Sequence, residues 1–405
     1  MASKKKQVIM LYVSSLAGVA IGMLSSVINT NALIPEQYGD FRYIQNIISF
    51  ISSLLLFGYF TSGSRLLALS KDEEYSRRIR GVMCTILGCA QLVLMLSMLV
   101  LYFVSDSNNE NIAPLFLAAL PVCGNVIMLN YINTTAQGDN HIGRISMARL
   151  LPTFIYVIAA YFIYQEFSAT PMLMLVLHNG IAAAILLSII ISTKPKFKDL
   201  RGSFKILNEE NKKYGFNVYI GSLTAVSTGY IAGITLGIFC KDNTEVGFYT
   251  LGLTLSGPLA MLPSIIGTTY YKKFANESRI SKKVMQSSIL ITIISLFAFI
   301  LLIDFVVDFL YNDSYSQVSN IAIWLAAAVS IHGFGDMLNR FLGAHGKGKE
   351  LRNAAFICGG ILIIGNILFV YLWGITGAVI TKIASSAGYF FTLLYYYLSY
   401  TKTNK

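Results

Sequence analysis

VMQSSILITIISLFAFILLI, residues 284–303, runs for 20 positions without a charged side chain. At about 1.5 Å of rise per residue it covers about 30 Å as a helix, the thickness of a bilayer's hydrocarbon core. A helix on a soluble protein shows a charged face to water. This run shows none, so its solvent is lipid. Lys282 and Lys283 stand just before it, and Asp304 and Asp308 follow.

The rest of the chain has the same character. Of 405 residues, 55% are hydrophobic and 13% charged, against about a quarter charged in soluble domains. Mean hydropathy is +0.61. The apolar runs predict an all-α membrane protein of twelve transmembrane helices. The first six fall at about 7–30, 43–66, 82–104, 113–135, 147–164 and 170–192. The second six fall at about 214–240, 247–271, 284–307, 317–342, 354–373 and 376–399. Turn and charge signals separate them, such as Ser-Asp-Ser-Asn-Asn-Glu at 105–110. Lys4, Lys5 and Lys6 precede the first run, which reads as a retained helix rather than a cleaved signal.

Basic residues set the orientation. Of 31 Lys and Arg, 26 lie at the two termini or in alternate loops, at 71–81, 136–149, 193–213, 272–283 and 343–353. The opposite loops hold Arg42 and Lys241, and Arg65, Arg340 and Lys382 fall within helices or at their ends. The alternation requires an even number of crossings and places both termini in the cytoplasm. It also accounts for the net charge of +11 without a nucleic-acid partner.

The longest basic loop, 193–213, divides an N-terminal six-helix bundle (1–192) from a C-terminal one (214–405). Phe204, Ile206 and Leu207 among its lysines predict a short amphipathic helix at the membrane surface. The halves echo each other. Residues 12–23 read YVSSLAGVAIGM and residues 219–230 read YIGSLTAVSTGY. Each half then offers a Glu, a Gly and aromatics before its second helix: Glu36, Gly39, Phe41 and Tyr43, then Glu245, Gly247, Phe248 and Tyr249. Both stretches run in the same direction, which predicts a parallel pseudo-repeat.

Nothing argues for catalysis. His141, His178, His332 and His345 lack metal-ligand spacing, and there is no phosphate-binding loop or nucleophile elbow. Cys84, Cys89, Cys123, Cys240 and Cys358 read as free thiols. Asp72-Glu73-Glu74 precedes Arg77, Arg78 and Arg80, which reads as a solvated helix start. What remains is polar side chains inside the spans, which are costly in lipid and face a cavity or another helix. They include Asn29, Asn46, Asn125, Asn130, Asn133, His178 and Asn179 in the first half. The second half supplies Asp304, Asp308, His332, Asp336, Asn339, Arg340, Asn366 and Lys382. Asp336 and Arg340 are spaced i, i+4, within pairing reach.

Residues 33–39, Leu-Ile-Pro-Glu-Gln-Tyr-Gly, lead a helix that ends in Gly63 and Arg65. This resembles the first outer loop and second helix of Wzx-type polysaccharide flippases, with their Leu-x-Pro-x-x-Tyr-Gly pattern. Glu245-Val-Gly-Phe-Tyr echoes it, and Lys213-Tyr-Gly-Phe resembles the start of the family's seventh helix; members often place a proline just after that glycine, and here Asn217 stands near it. The superfamily also holds multidrug exporters, which carry an acidic residue in the first helix, and the lipid II flippase, with arginines there; residues 7–30 have neither.

The resemblance implies a flippase of the bacterial inner membrane. It would move an undecaprenyl-pyrophosphate-linked oligosaccharide, a unit of O-antigen (the lipopolysaccharide chain) or a similar surface polysaccharide, from the cytoplasmic to the periplasmic leaflet by alternating access. The alternative of the same fold is a multidrug or small-cation exporter. No cofactor is implied, and the coupling ion stays open between H+ and Na+. Membrane lipids, a polysaccharide polymerase and a chain-length regulator are the implied partners. On this reading Arg65, Arg340 and Lys382 attract the pyrophosphate from between the bundles, with Arg42 near the outer mouth. Asn46, Asn130 and Asp336 complete the expected polar lining.

Overall fold

The computed structural model describes residues 4–106 and 112–403. The turn expected at 105–110 lies outside the described residues from position 107 on. Among the described residues there is no strand. The helices of the first half are α1 (Lys4–Ala32), α2 (Pro35–Leu54), α3 (Tyr59–Leu69), α4 (Glu73–Asp106), α5 (Ala113–Ala119), α6 (Asn125–Gly138), α7 (Ile142–Glu166) and α8 (Pro171–Ser192). After α9 (Leu200–Glu210) come α10 (Phe216–Phe239), α11 (Thr244–Thr269), α12 (Tyr271–Phe274), α13 (Lys282–Leu310), α14 (Val318–Ala344) and α15 (Gly348–Thr403).

Eight described helices are long and apolar enough to cross a membrane, nine when the bent pair α2–α3 counts as one. Gly374 (φ 54°, ψ −133°) divides α15 into two limbs, and α1 and α10 occupy the two remaining places. Twelve helical segments thus follow the expected order.

The clearest departure is the second segment, expected as one helix over 43–66. It starts earlier, at Pro35, whose fixed φ suits a first helical turn. It then breaks at 55–58 and bends by 59°. Phe57 (φ 44°) and Gly58 (φ 79°) take left-handed conformations there, which stop a helix. The carbonyls orphaned by the break find donors: Tyr219 Oη donates to Leu54 O at 2.7 Å, and Asn211 Nδ2 to Phe57 O at 3.0 Å. Gly58 also lies against Gly215, where a Cβ would sit 2.3 Å from the Gly215 carbonyl oxygen.

The chain forms two compact units. One holds residues 1–33 and 44–227, the other 34–43 and 228–405. In the N-terminal unit α1 lies on α7, α7 on α8, α3 on α6 and α4 on α5. The linker belongs to this unit. Arg77 Nε donates to Lys194 O at 2.8 Å, and Lys196 N to Arg77 O at 2.8 Å. The amphipathic helix expected in the linker is α9, capped by Asp199 on the Gly202 N–H at 3.2 Å. It buries Leu207 and exposes Phe204 and Ile206. In the C-terminal unit α14 is central, flanked by α11, α13 and α15. The outer flank of α13 is apolar and exposed, with Ile293, Phe297, Leu301 and Phe305 all more than half accessible, as lipid contact requires.

Candidate polar sites in the two helical units

Within the N-terminal unit, polar side chains from five helices meet in an apolar surround. Tyr156 of α7 donates to Asn29 Oδ1 of α1. Its ring stands edge-on to His178 of α8, centroids 4.7 Å apart. His178 Nδ1 is 3.2 Å from Gln45 Nε2 of α2 and 3.2 Å from Asn179 Oδ1. Asn125 of α6 donates to Asn179 O at 3.0 Å and Oδ1 at 3.1 Å. Among the described residues Asn29 Nδ2, Asn125 Oδ1 and Asn179 Nδ2 are buried without a hydrogen-bond partner, a costly arrangement unless something polar reaches them. Asn46 follows Gln45 on α2 and Asn130 lies on α6; both are half-buried.

Arg65, at the C-terminal half of α3, belongs to this unit too. Its guanidinium pairs with Glu210 and sits 5.2 Å from the Tyr214 ring centroid. Its side chain is half-exposed, so it keeps donors toward water. Arg80, expected in a solvated helix start, is instead buried, because carboxylates and a carbonyl surround its guanidinium. Arg80, on the first turns of α4, bonds Asp139 and Glu73 at 2.9 Å each and the Thr193 carbonyl at 3.3 Å. Arg144 adds a contact to Asp139 at 3.5 Å. Asp72-Glu73-Glu74 is thereby explained: Glu73 pairs with Arg80, and Glu74 with Lys196.

In the C-terminal unit the charged residues expected at the site gather where α14 faces the second limb of α15. Asn339 Nδ2 donates to Tyr389 Oη at 2.9 Å, and Tyr389 Oη donates to Asp336 Oδ1 at 3.2 Å. The His332 ring stacks on Tyr389, centroids 4.6 Å apart, and its buried Nδ1 has no partner. Gly335 makes room for that ring; a Cβ there would sit 2.5 Å from Tyr389 Cδ1. Lys382 and Arg340 lie within electrostatic reach of Asp336. The i, i+4 spacing of Asp336 and Arg340 does not become an ion pair, because Asp336 turns to Tyr389 instead. Arg340 is exposed and Lys382 half-buried. Helical spacing predicted none of the Tyr389 contacts, which join residues 50 and 53 positions apart.

Arg42 also belongs to the C-terminal unit, through segment 34–43. Its Nε donates to Tyr38 Oη at 2.9 Å, and its guanidinium lies 5.0 and 5.5 Å from the Tyr38 and Phe41 ring centroids. Asn46, Asn130 and Arg65 are thus in one unit, and Arg42, Asp336, Arg340 and Lys382 in the other. Among the described residues no group of three His, Cys, Asp or Glu is placed to hold a metal ion.

A chain of apolar helices with polar side chains set between them is the construction of a multi-pass membrane protein. The family model for polysaccharide biosynthesis proteins matches residues 5–271. The chain belongs to that family. No curated protein matches its sequence. Among solved structures, the lipid II flippase MurJ in its inward closed conformation is similar, with TM-score 0.69 and 15% identity over 97% of this chain and 90% of that one. An inward-facing multidrug transporter of the MATE family and MOP superfamily gives 0.65 and 14%, covering 96% of each chain. Its outward-facing counterpart gives 0.59 and 12%, covering 98% and 96%. At such identities the likeness concerns the fold. The family is that of polysaccharide biosynthesis proteins, and the fold is the one these multi-pass membrane proteins share.

Proposed function

We propose that this protein flips an undecaprenyl-pyrophosphate-linked oligosaccharide, the unit of O-antigen or a similar surface polysaccharide, across the bacterial inner membrane. The movement is from cytoplasmic to periplasmic leaflet, by alternating access. The family match carries the polysaccharide part of this reading. The polar groups within the units carry the rest. A sugar chain and a pyrophosphate must cross about 30 Å of hydrocarbon, so the protein must offer fixed cations and hydrogen-bonding side chains in place of water. Arg340 and Lys382 provide cations beside an Asp336–Tyr389–Asn339 chain. Arg65, held by Glu210, and Arg42, held by Tyr38, are further phosphate contacts. Asn46 and Asn130 offer amides suited to sugar hydroxyls. A polymerase and a chain-length regulator act on the product.

Purified protein in proteoliposomes tests this. With a fluorescent lipid-linked oligosaccharide in both leaflets, transport brings the inner pool within reach of an impermeant quencher. Quenching limited to the outer leaflet overturns the reading. A second reading, export of drugs or small cations, has the MATE likeness in its favour. The absence of Asp and Glu from residues 7–30 counts against it. Active extrusion of a cationic dye without flipping of the lipid-linked sugar decides for it.

A further inference from the structure

The C-terminal unit carries a groove that the transport reading leaves unused. Its volume is about 570 Å³, within the roughly 300–1,000 Å³ of ligand pockets. The start of α13, the inner half of α14 and the second limb of α15 wall it. Met285, Phe334, Met337, Phe390 and Leu394 make that wall apolar, and methionine and aromatic side chains adapt to a flexible chain. Ile289 and Leu398 on its rim are 41% and 48% exposed. The groove therefore opens on the outer flank of the helices, where a membrane-embedded chain meets acyl chains.

One end of the groove is cationic. Arg279 and Lys282 line it there, and both are exposed. Neither has an ion-pair partner among the described residues; the neighbouring Glu277 pairs with Lys273. The loop that carries Arg279 is fixed to the groove wall, since the Ile280 N–H donates to Tyr397 Oη at 3.1 Å. The first turn of α13 has no acidic residue to offset Lys282 and Lys283, so positive charge stands uncompensated at the helix end where it is least favourable. An apolar channel with two free cations at one end is complementary to an amphiphile with one phosphate head and a hydrocarbon chain.

We propose that this groove is a binding site for an anionic phospholipid, its phosphodiester on Arg279 and Lys282 and an acyl chain along Met285, Phe334 and Phe390. The site is independent of what the protein transports. A zwitterionic phospholipid carries a compensating ammonium that two cations repel, so the head group decides occupancy.

The full-length protein, purified in detergent and incubated with phosphatidylglycerol or with phosphatidylcholine, is read by native mass spectrometry. Phosphatidylglycerol is retained and phosphatidylcholine is stripped. Arg279→Gln with Lys282→Gln lowers retention by about five-fold per charge removed. Ile289→Trp, which fills the rim without changing charge, lowers it as well and decides the matter if the double variant does not fold. Lys349→Gln with Arg352→Gln, removing equal charge from another basic loop, leaves retention unchanged. The proposal is overturned if phosphatidylcholine is held equally well, or if the groove variants keep phosphatidylglycerol. It is also overturned if the control pair loses as much as the groove pair. Retention of a polyprenyl pyrophosphate without retention of phosphatidylglycerol assigns the groove to a different lipid and overturns it too.

Discussion

Glu245 accepts the backbone N–H of Ile375, 130 residues away, and so caps the second limb of α15 from another helix. The limb begins after Gly374, whose φ of 54° and ψ of −133° suit glycine alone. Helix starts leave N–H groups unsatisfied, and here a carboxylate supplies the acceptor. The thiol of Cys240 donates to the same carboxylate at 3.1 Å.

The first prediction tests this cap. Glu245→Ala removes a charge-assisted bond and costs about 2 kcal/mol. Glu245→Gln keeps an acceptor oxygen and costs less. Gly374→Ala forces a Cβ to within 2.6 Å of Glu245 Oε2 and destabilises at least as much as Glu245→Ala. Denaturant titration of the detergent-solubilised protein, followed by circular dichroism, measures all three. Equal stability of Glu245→Ala and the parent discards the cap.

A second prediction concerns Asp40 and Asn243, 203 residues apart and both buried. Asn243 Nδ2 donates to Asp40 Oδ1 at 2.7 Å. Gly39 lies so close that a Cβ would sit 1.8 Å from the Asn243 carbonyl oxygen. Asn243→Ala strands a buried carboxylate, at about 1–3 kcal/mol. The double variant with Asp40→Ala recovers part of that loss, because neither group is then left unpaired. A double-mutant cycle in the same titration reads the coupling, and strict additivity rules out the bond.

How much of this the sequence disclosed depends on how far apart the partners lie. Apolar runs and charged loops are local, and they mark every segment, though α2, α4, α7 and α15 start five to nine residues before their apolar runs. Glu36 and Glu245 both fall in first turns, of α2 and α11, where negative charge suits the helix dipole. The break at 55–58 did not show, because Phe57-Gly58 sits inside an apolar run and its carbonyls are satisfied from Asn211 and Tyr219. Asn243 follows Lys241 and Asp242 in a short polar stretch, yet it is 2% accessible and bonded to Asp40 of segment 34–43. At the candidate site the charges Asp336, Arg340 and Lys382 were legible as costly intramembrane groups. Tyr389, which donates to Asp336, is one of 24 tyrosines, and nothing local marks it.

Topology gives a third prediction. In a cysteine-free background, single cysteines at Asp242 and Asp313, both exposed, react with an impermeant thiol reagent from the periplasm. Cysteines at Lys205 and Lys349 react only after the inner face is opened. A cysteine at Asn243 stays unlabelled on either side, because that position is buried. Labelling of Lys205 in intact cells reverses the orientation.

The last prediction separates charge from packing among the cations assigned to pyrophosphate. Lys382→Gln removes a half-buried ammonium and leaves Arg340 as the remaining cation near Asp336, a loss below the about 3–5 kcal/mol of breaking a buried ion pair. Stability and transport can therefore fall together, and the variants must split them. Lys382→Gln with Asp336→Asn restores stability by removing both charges, but it does not restore surface polysaccharide in a strain lacking the native gene. Lys382→Arg retains at least a tenth of it. For Arg65 the partner does the sorting, since Glu210 holds the guanidinium. If Arg65 serves only that pair, Glu210→Gln mimics Arg65→Gln. If Arg65 receives phosphate, Glu210→Gln frees it and polysaccharide is kept, while Arg65→Gln loses at least ten-fold. Lysine at positions 65 and 340 tests geometry, because an ammonium cannot reproduce the two-point fork of a guanidinium on phosphate. Full polysaccharide from normally inserted Arg340→Gln and Lys382→Gln proteins removes these residues from the binding role.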